Sequence, residues 1–196
     1  MKIESNLGDK GLYITECLDQ ETLSELLEFL KPYGRRKFDQ LHFFRYDFPI
    51  PQNDFAQAIQ SSVNAAILEY VNGSNKNPSD YILKKSYSMS EWKLGKSLAP
   101  HIDSIKYDHP DTHTPRSIIN ALLYLTDDYE DGEIVFPEID VAIRPKAGSV
   151  VVFDADLQHG VNAVKSGLRI TASSNLYSIH AEDIDEIKAL GYRYLV

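Results

Sequence analysis

Cysteine is nearly absent from this chain: Cys17 stands alone, so no internal disulfide can staple the fold. A single thiol suits a reducing compartment, and the expected location is the cytoplasm. Cys17 lies in an apolar, strand-like context and reads as a small core residue rather than a reactive one. Long apolar runs are also missing. No stretch reaches the length that spans a bilayer, and the opening MKIESNLGDKG lacks the apolar core of a signal peptide. Clustered basic residues are scarce too. Arg35-Arg36-Lys37 and Lys84-Lys85 are short and isolated, and the net charge is −9. Neither a nucleic-acid backbone nor a membrane is therefore an expected partner.

What remains is ordinary for a globular protein. Hydrophobic residues make up 43% and charged residues 25% of the 196 positions. One domain over 1–196 is expected, in three parts: a strand and supporting helices in 1–80, a β core in 81–178, and a helical tail in 179–196. Residues 11–16 alternate as a strand. Asp19 is placed to cap a helix over 20–31, whose stripe is Leu23, Leu26, Leu27 and Leu30. A second helix over 54–71 puts Phe55, Ala58, Ile59, Ser62, Val63, Ala66, Ile67 and Tyr70 on one face. Asn72-Gly73 ends it; Asn72-Gly73-Ser74 also fits a glycosylation sequon, but the turn is the preferred reading.

From residue 81 the period changes from helical to two. The expected strands are 81–92, 98–103, 117–125, 133–136, 141–144, 149–154, 159–164 and 168–178, separated by turn residues. Short strands at this spacing predict an antiparallel sandwich or barrel. The segment 104–115 reads as an exposed loop, and 181–190 as a helix.

Three residues in this β region invite a metal. Residues i and i+2 of a strand share a face, so His101 and Asp103 can bind one ion together. His159, after the apolar run SVVVFD, is the natural third ligand. Two imidazoles and one carboxylate leave part of an octahedron open, which suits Fe(II) oxygen chemistry better than a closed zinc site. A single His-x-Asp pair carries little weight, since His42, His109, His113 and His180 also need no metal. His42, among aromatics, reads as a satisfied packing residue. His109 and His113 read as solvated, with a substrate contact as the alternative.

Ten residues after His159 stands Arg169. Alternation places it on one strand face with Thr171 and Ser173. A buried guanidinium needs a partner, either a bound carboxylate or an internal Asp or Glu. Tyr124, in the apolar run INALLYLT, also needs a partner for its hydroxyl: the same carboxylate or a backbone carbonyl.

Taken together these residues resemble the iron(II)/2-oxoglutarate-dependent dioxygenases, in particular their prolyl 4-hydroxylase-like branch. The resemblance covers about 81–178. His101-x-Asp103 is similar to the first metal motif. Tyr124-Leu125, Asp131-Gly132-Glu133 and Phe136-Pro137 resemble the following strand and hairpin. Lys146 to Phe153 resembles the strand before the distal histidine. His159-Gly160-Val161 with Gly167-Leu168-Arg169 resembles the second motif. The resemblance implies a mainly β fold with flanking α-helices, a double-stranded β-helix (jelly roll, cupin-like). It implies His101, Asp103 and His159 as catalytic iron ligands. It implies Arg169 and Tyr124 as binders of 2-oxoglutarate, with O2 as oxidant and ascorbate as an accessory reductant. The implied reaction hydroxylates a prolyl residue in a peptide or protein, or acts on a free amino acid or small metabolite. Two departures stand out. Trp92 and Glu91 occupy the places, nine and ten residues before His101, where the branch often has tyrosine, so Trp92 is expected to fill the pocket wall, and its contact with the co-substrate is left open. The basic residue is arginine, where collagen-type enzymes usually have lysine. The competing classes are a non-enzymatic jelly-roll binding module and a zinc hydrolase built on the same three ligands. Loops 34–53 and 104–115 are expected to shape the substrate site. Within the first, Phe38, Phe43, Phe44, Tyr46 and Phe48 read as core packing before they read as a groove.

Overall fold

Val150 to Phe153 are buried on both faces of their strand, and this explains the layering of the whole molecule. Val150 and Val152 pack with the helices, whereas Val151 and Phe153 face inward to a second apolar cluster. A strand covered on both sides reads as a continuous apolar run rather than an alternation.

The computed structural model describes residues 1–30, 38–39, 42–49, 54–84, 86–103, 117–178 and 192–194. The first half holds β1 (Lys2–Asn6), β2 (Gly11–Thr15), α1 (Gln20–Leu30), β3 (Phe38–Asp39), β4 (Phe43–Pro49) and α2 (Asp54–Gly73). The second half is strands: β5 (Tyr81–Lys84), β6 (Ser86–Trp92), β7 (Leu98–His101), β8 (Ser117–Tyr124), β9 (Tyr129–Asp131), β10 (Ile134–Phe136), β11 (Val141–Ile143), β12 (Val150–Asp154), β13 (His159–Val161), β14 (Val164–Gly167), β15 (Ile170–Ser178) and β16 (Tyr192–Tyr194).

The larger sheet runs β1-β2-β12-β8-β15-β6-β4-β3, with β5 against the far half of β15 and β16 beyond it. A smaller sheet runs β11-β10-β13-β7, and β9 pairs with β14. The described pairings are antiparallel, and the fold is the expected double-stranded β-helix with two helices.

Both helices lie where periodicity predicts. Asp19 caps α1 by accepting the Thr22 N–H at 2.8 Å. Leu23 and Leu26 from α1, and Val63, Ala66, Ile67, Tyr70 and Val71 from α2, join the core under the larger sheet. Cys17 packs half-buried against the same core. On β8, Ile119, Ala121 and Leu123 face this core, and the alternate residue Tyr124 faces the interior between the sheets.

Several boundaries differ from expectation. The stretch 81–92 is two strands, because β5 and β6 pair with different halves of β15. The stretch 159–164 is likewise divided between β13 and β14. Tyr129–Asp131, expected as turn, is a strand. β7 ends at His101, so Asp103 lies beyond the strand rather than within it. His42 is half-buried, and its Nδ1 is buried without a hydrogen-bond partner, so it is not the satisfied residue expected. Phe43 packs on Trp92, with ring centroids 5.3 Å apart. The expected helix 181–190, the loop 104–115 with His109 and His113, and His180 lie outside the described residues.

Candidate metal centre and carboxylate pocket

His101 closes β7 and His159 opens β13, and the two are register partners in the smaller sheet. Their ring centroids are 4.5 Å apart. Gly160 permits this approach, since a Cβ there would stand 2.7 Å from the Leu98 carbonyl oxygen of β7. In both rings Nδ1 lies 3.0 Å from a backbone carbonyl two residues earlier, Ala99 for His101 and Leu157 for His159. A carbonyl only accepts, so Nδ1 carries the proton and Nε2 offers a lone pair.

Asp103 reaches the same point by another route. Its backbone N–H donates to Ala155 at 3.0 Å, which ties the segment after β7 to the β12–β13 connection. Asp103 Oδ1 then lies 3.3 Å from His101 Nε2, and Oδ2 lies 3.6 Å from His159 Nε2. Asn120, on the inward face of β8, donates from Nδ2 to Asp103 Oδ2 at 2.9 Å. The three ligand atoms lie within 4.8 Å of one another. Two neutral imidazoles and a carboxylate are a donor set for a divalent transition ion, with further coordination positions left for substrates. His159 is buried against Phe153 and Phe136, with centroids 4.6 and 6.4 Å away, while His101 and Asp103 are half-buried. The cluster is thus walled on one side and accessible on the other.

Arg169 lies one residue before β15 and is only 1% exposed. Its Nε donates to the Gly132 carbonyl at 2.9 Å, and its Nη2 to the Tyr124 hydroxyl at 3.2 Å. Its Cζ sits over the rings of Trp92 and Tyr124, at 4.8 and 5.2 Å from their centroids. Among the described residues no Asp or Glu pairs with it. A buried cation left without an anion is a site that attracts one. Tyr124 is fully buried, and burial raises its phenol pKa, with Arg169 pulling the other way. The hydroxyl accepts from Arg169 and keeps its own proton to donate.

Gly132 makes room for this arrangement. It has φ +70°, and a Cβ there would meet Val164 Cγ2 at 2.9 Å and Arg169 Cδ at 3.2 Å. Tyr124 shares one apolar layer with Phe136 and Phe153, the rings against which His159 packs. The interior between the sheets thus connects the cluster of His101, Asp103 and His159 with the pocket of Arg169 and Tyr124. Sequence reasoning overlooked Asn120, hidden in an apolar strand, and Tyr129, within a segment read as turn.

Residues 87–177 match the model of the 2OG-Fe(II) oxygenase superfamily. Over that segment, just under half of its length, the chain resembles that superfamily. Fe(II) and 2-oxoglutarate are the cofactor and co-substrate of such oxygenases, and the residues present fit both. Nε2 lone pairs and a carboxylate converge for the ion, and a buried guanidinium with no Asp or Glu partner among the described residues suits a carboxylate.

Among curated proteins, the chain is 30% identical over 99 residues to a PKHD-type hydroxylase of Psychrobacter sp. (strain PRwf-1), covering 48% of this chain and 38% of that protein. It is 39% identical over 70 residues to human prolyl 3-hydroxylase 2, covering 32% of this chain and 10% of that protein. The chain therefore spans well under half the length of either curated relative. Among solved structures, the viral collagen prolyl hydroxylase of Paramecium Bursaria Chlorella virus-1, in its 2OG complex, superposes with a TM-score of 0.70 at 19% identity. That match covers 88% of this chain and 98% of the viral one. It supports the fold.

Proposed function

We propose that this oxygenase hydroxylates a prolyl residue in a peptide or protein, with Fe(II) as cofactor and 2-oxoglutarate and O2 as co-substrates. The observation that carries the reading is the pairing of two features within one interior. One is a metal-ligand triad of His101, Asp103 and His159; the other is a buried Arg169 with no Asp or Glu partner among the described residues.

The chain's own residues divide the work. His101 and His159 bind through Nε2, each ring fixed by its Nδ1–H bond to a carbonyl. Asp103 adds the carboxylate and is steered by Asn120. Arg169 and Tyr124 hold the distal carboxylate of 2-oxoglutarate in a charge-assisted cradle. Phe136 and Phe153 keep water from the inner side of His159. When bound, the iron supplies the oxidising chemistry that converts substrate C–H, 2-oxoglutarate and O2 into C–OH, succinate and CO2. Asp103 favours hydroxylation, since related halogenases lack this carboxylate and bind halide in its place.

The prolyl substrate is supported by the relatives, which are a PKHD-type hydroxylase, a prolyl 3-hydroxylase and a collagen prolyl hydroxylase. The test is a panel of proline-containing peptides and free amino acids with Fe(II), 2-oxoglutarate and ascorbate. The expected result is a mass gain of one oxygen on proline within a peptide. A gain confined to free amino acids or to non-proline residues contradicts the prolyl reading.

A further inference from the structure

Two buried donors around Arg169 have no acceptor: the Trp92 indole Nε1–H and the Tyr129 O–H, whose oxygen lies near enough to the Arg169 guanidinium to accept from it. A buried, unpaired N–H or O–H costs roughly 1–3 kcal/mol, so a pair of them at one place calls for a ligand that accepts from both. Trp92 is 8% exposed and Tyr129 is 1% exposed. The two residues share a small apolar cluster with Val161 and Val164. Trp92 is fixed beside Arg169, because its backbone N–H donates to the Arg169 carbonyl at 3.0 Å and its ring lies under the guanidinium. Tyr129 lies on the other side of Gly132. A Cβ on Gly132 would stand 3.2 Å from Arg169 Cδ and 3.5 Å from Tyr129 Cδ2. Burial raises the Tyr129 pKa, against the pull of Arg169, so the hydroxyl keeps its proton.

We infer that the Trp92 indole N–H and the Tyr129 hydroxyl complete the cradle for the distal carboxylate of 2-oxoglutarate. This rests on the co-substrate reading above. A carboxylate offers about four lone-pair sites. Arg169 and Tyr124 fill part of that capacity, and Trp92 and Tyr129 fill the remainder. Trp92 is then a ligand of the co-substrate and not merely a wall.

Trp92 is the only tryptophan in the chain, so a single indole N–H resonance reports on it alone. The experiment titrates 2-oxoglutarate into the 15N-labelled protein loaded with Zn(II), a diamagnetic and redox-inert stand-in for Fe(II). The indole proton is expected to move downfield with saturation and to exchange more slowly with solvent. By calorimetry, Trp92→Phe, which keeps an aromatic ring against Phe43, is expected to weaken 2-oxoglutarate binding roughly tenfold, and Tyr129→Phe several-fold, as for lost charge-assisted bonds. Zn(II) affinity is expected to stay unchanged in both. If 2-oxoglutarate binds but the indole resonance stays put, or both variants bind it as tightly as wild type, the inference is wrong and the co-substrate reading stands. If 2-oxoglutarate does not bind the wild-type protein at all, the co-substrate reading fails and this inference fails with it.

Discussion

Asn120 Nδ2 donates to Asp103 Oδ2 at 2.9 Å, joining the middle of a buried strand to a carboxylate that lies outside any strand. The bond aims Oδ2 toward His159 while Oδ1 stays beside His101. Groups that orient metal ligands in this way typically contribute 10–100-fold to affinity. Asn120→Ala is therefore expected to weaken Mn(II) or Zn(II) binding by roughly tenfold or more while the fold persists. Calorimetric titration checks this, and unchanged affinity would show that Asp103 is held by other means.

Arg169 sets up a contrast between stability and binding. Its buried charge has no Asp or Glu partner among the described residues, so Arg169→Met is expected to leave the ligand-free protein at least as stable as wild type. The same change should weaken 2-oxoglutarate binding by at least about 30-fold. Co-substrate at a hundred times its dissociation constant should stabilise wild type by about 2.7 kcal/mol and the variant hardly at all. Thermal unfolding with and without 2-oxoglutarate reads both effects. An equal ligand-induced rise in Tm for the two proteins would contradict this.

Gly132 couples backbone shape to that pocket. At φ +70°, with Val164 and Arg169 close to any added Cβ, Gly132→Ala must strain the turn and push on the Arg169 stem. The expected loss is about 1–2 kcal/mol of stability, with weaker 2-oxoglutarate binding. Denaturant unfolding together with calorimetry tests it. Wild-type values for both would mean that the turn relaxes freely.

Much of this was legible in the sequence, for identifiable reasons. The helical stripes of α1 and α2 follow from periodicity, and the β12 strand follows from the apolar run Val150 to Phe153 after the Pro145 to Gly148 turn. His101, Asp103, His159, Arg169 and Tyr124 stand out because their residue types are costly to bury without a purpose. Asp103 does come beside His101 and His159, but not as a strand neighbour: β7 stops at His101, and the Asp103 N–H is anchored on Ala155. Asn120 gave no signal because its role exists only once β8 lies beside residue 103. Trp92 looked like a mere departure from a pattern, since an orphan indole N–H is a property of packing. Strands β1, β3, β4, β9 and β16 escaped notice because they are short, edge-bound or mixed in polarity, and β9 and β16 pair with strands far along the chain.

Cys17 offers a pH test independent of the site. Burial pushes its thiol from 9.0 up to about 11. The folded chain thus holds the proton that the unfolded chain releases near 9. The associated stability is full below the unfolded value and is lost as pH rises through the folded one. Alkylation of the native protein by iodoacetamide is expected to stay slow at pH 8 and to rise with a midpoint near 11, against an ordinary thiol midpoint in urea. A native midpoint at or below 9 would place Cys17 in a different environment.

The most direct test of the central claim is succinate formation from 2-oxoglutarate by the Fe(II)-loaded protein, measured in air and under anaerobic conditions, for wild type and Asp103→Ala. The account predicts oxygen-dependent succinate from wild type and none above background from the variant. Succinate formation that survives Asp103→Ala, or a wild-type protein that forms none in air with its substrate present, would contradict it.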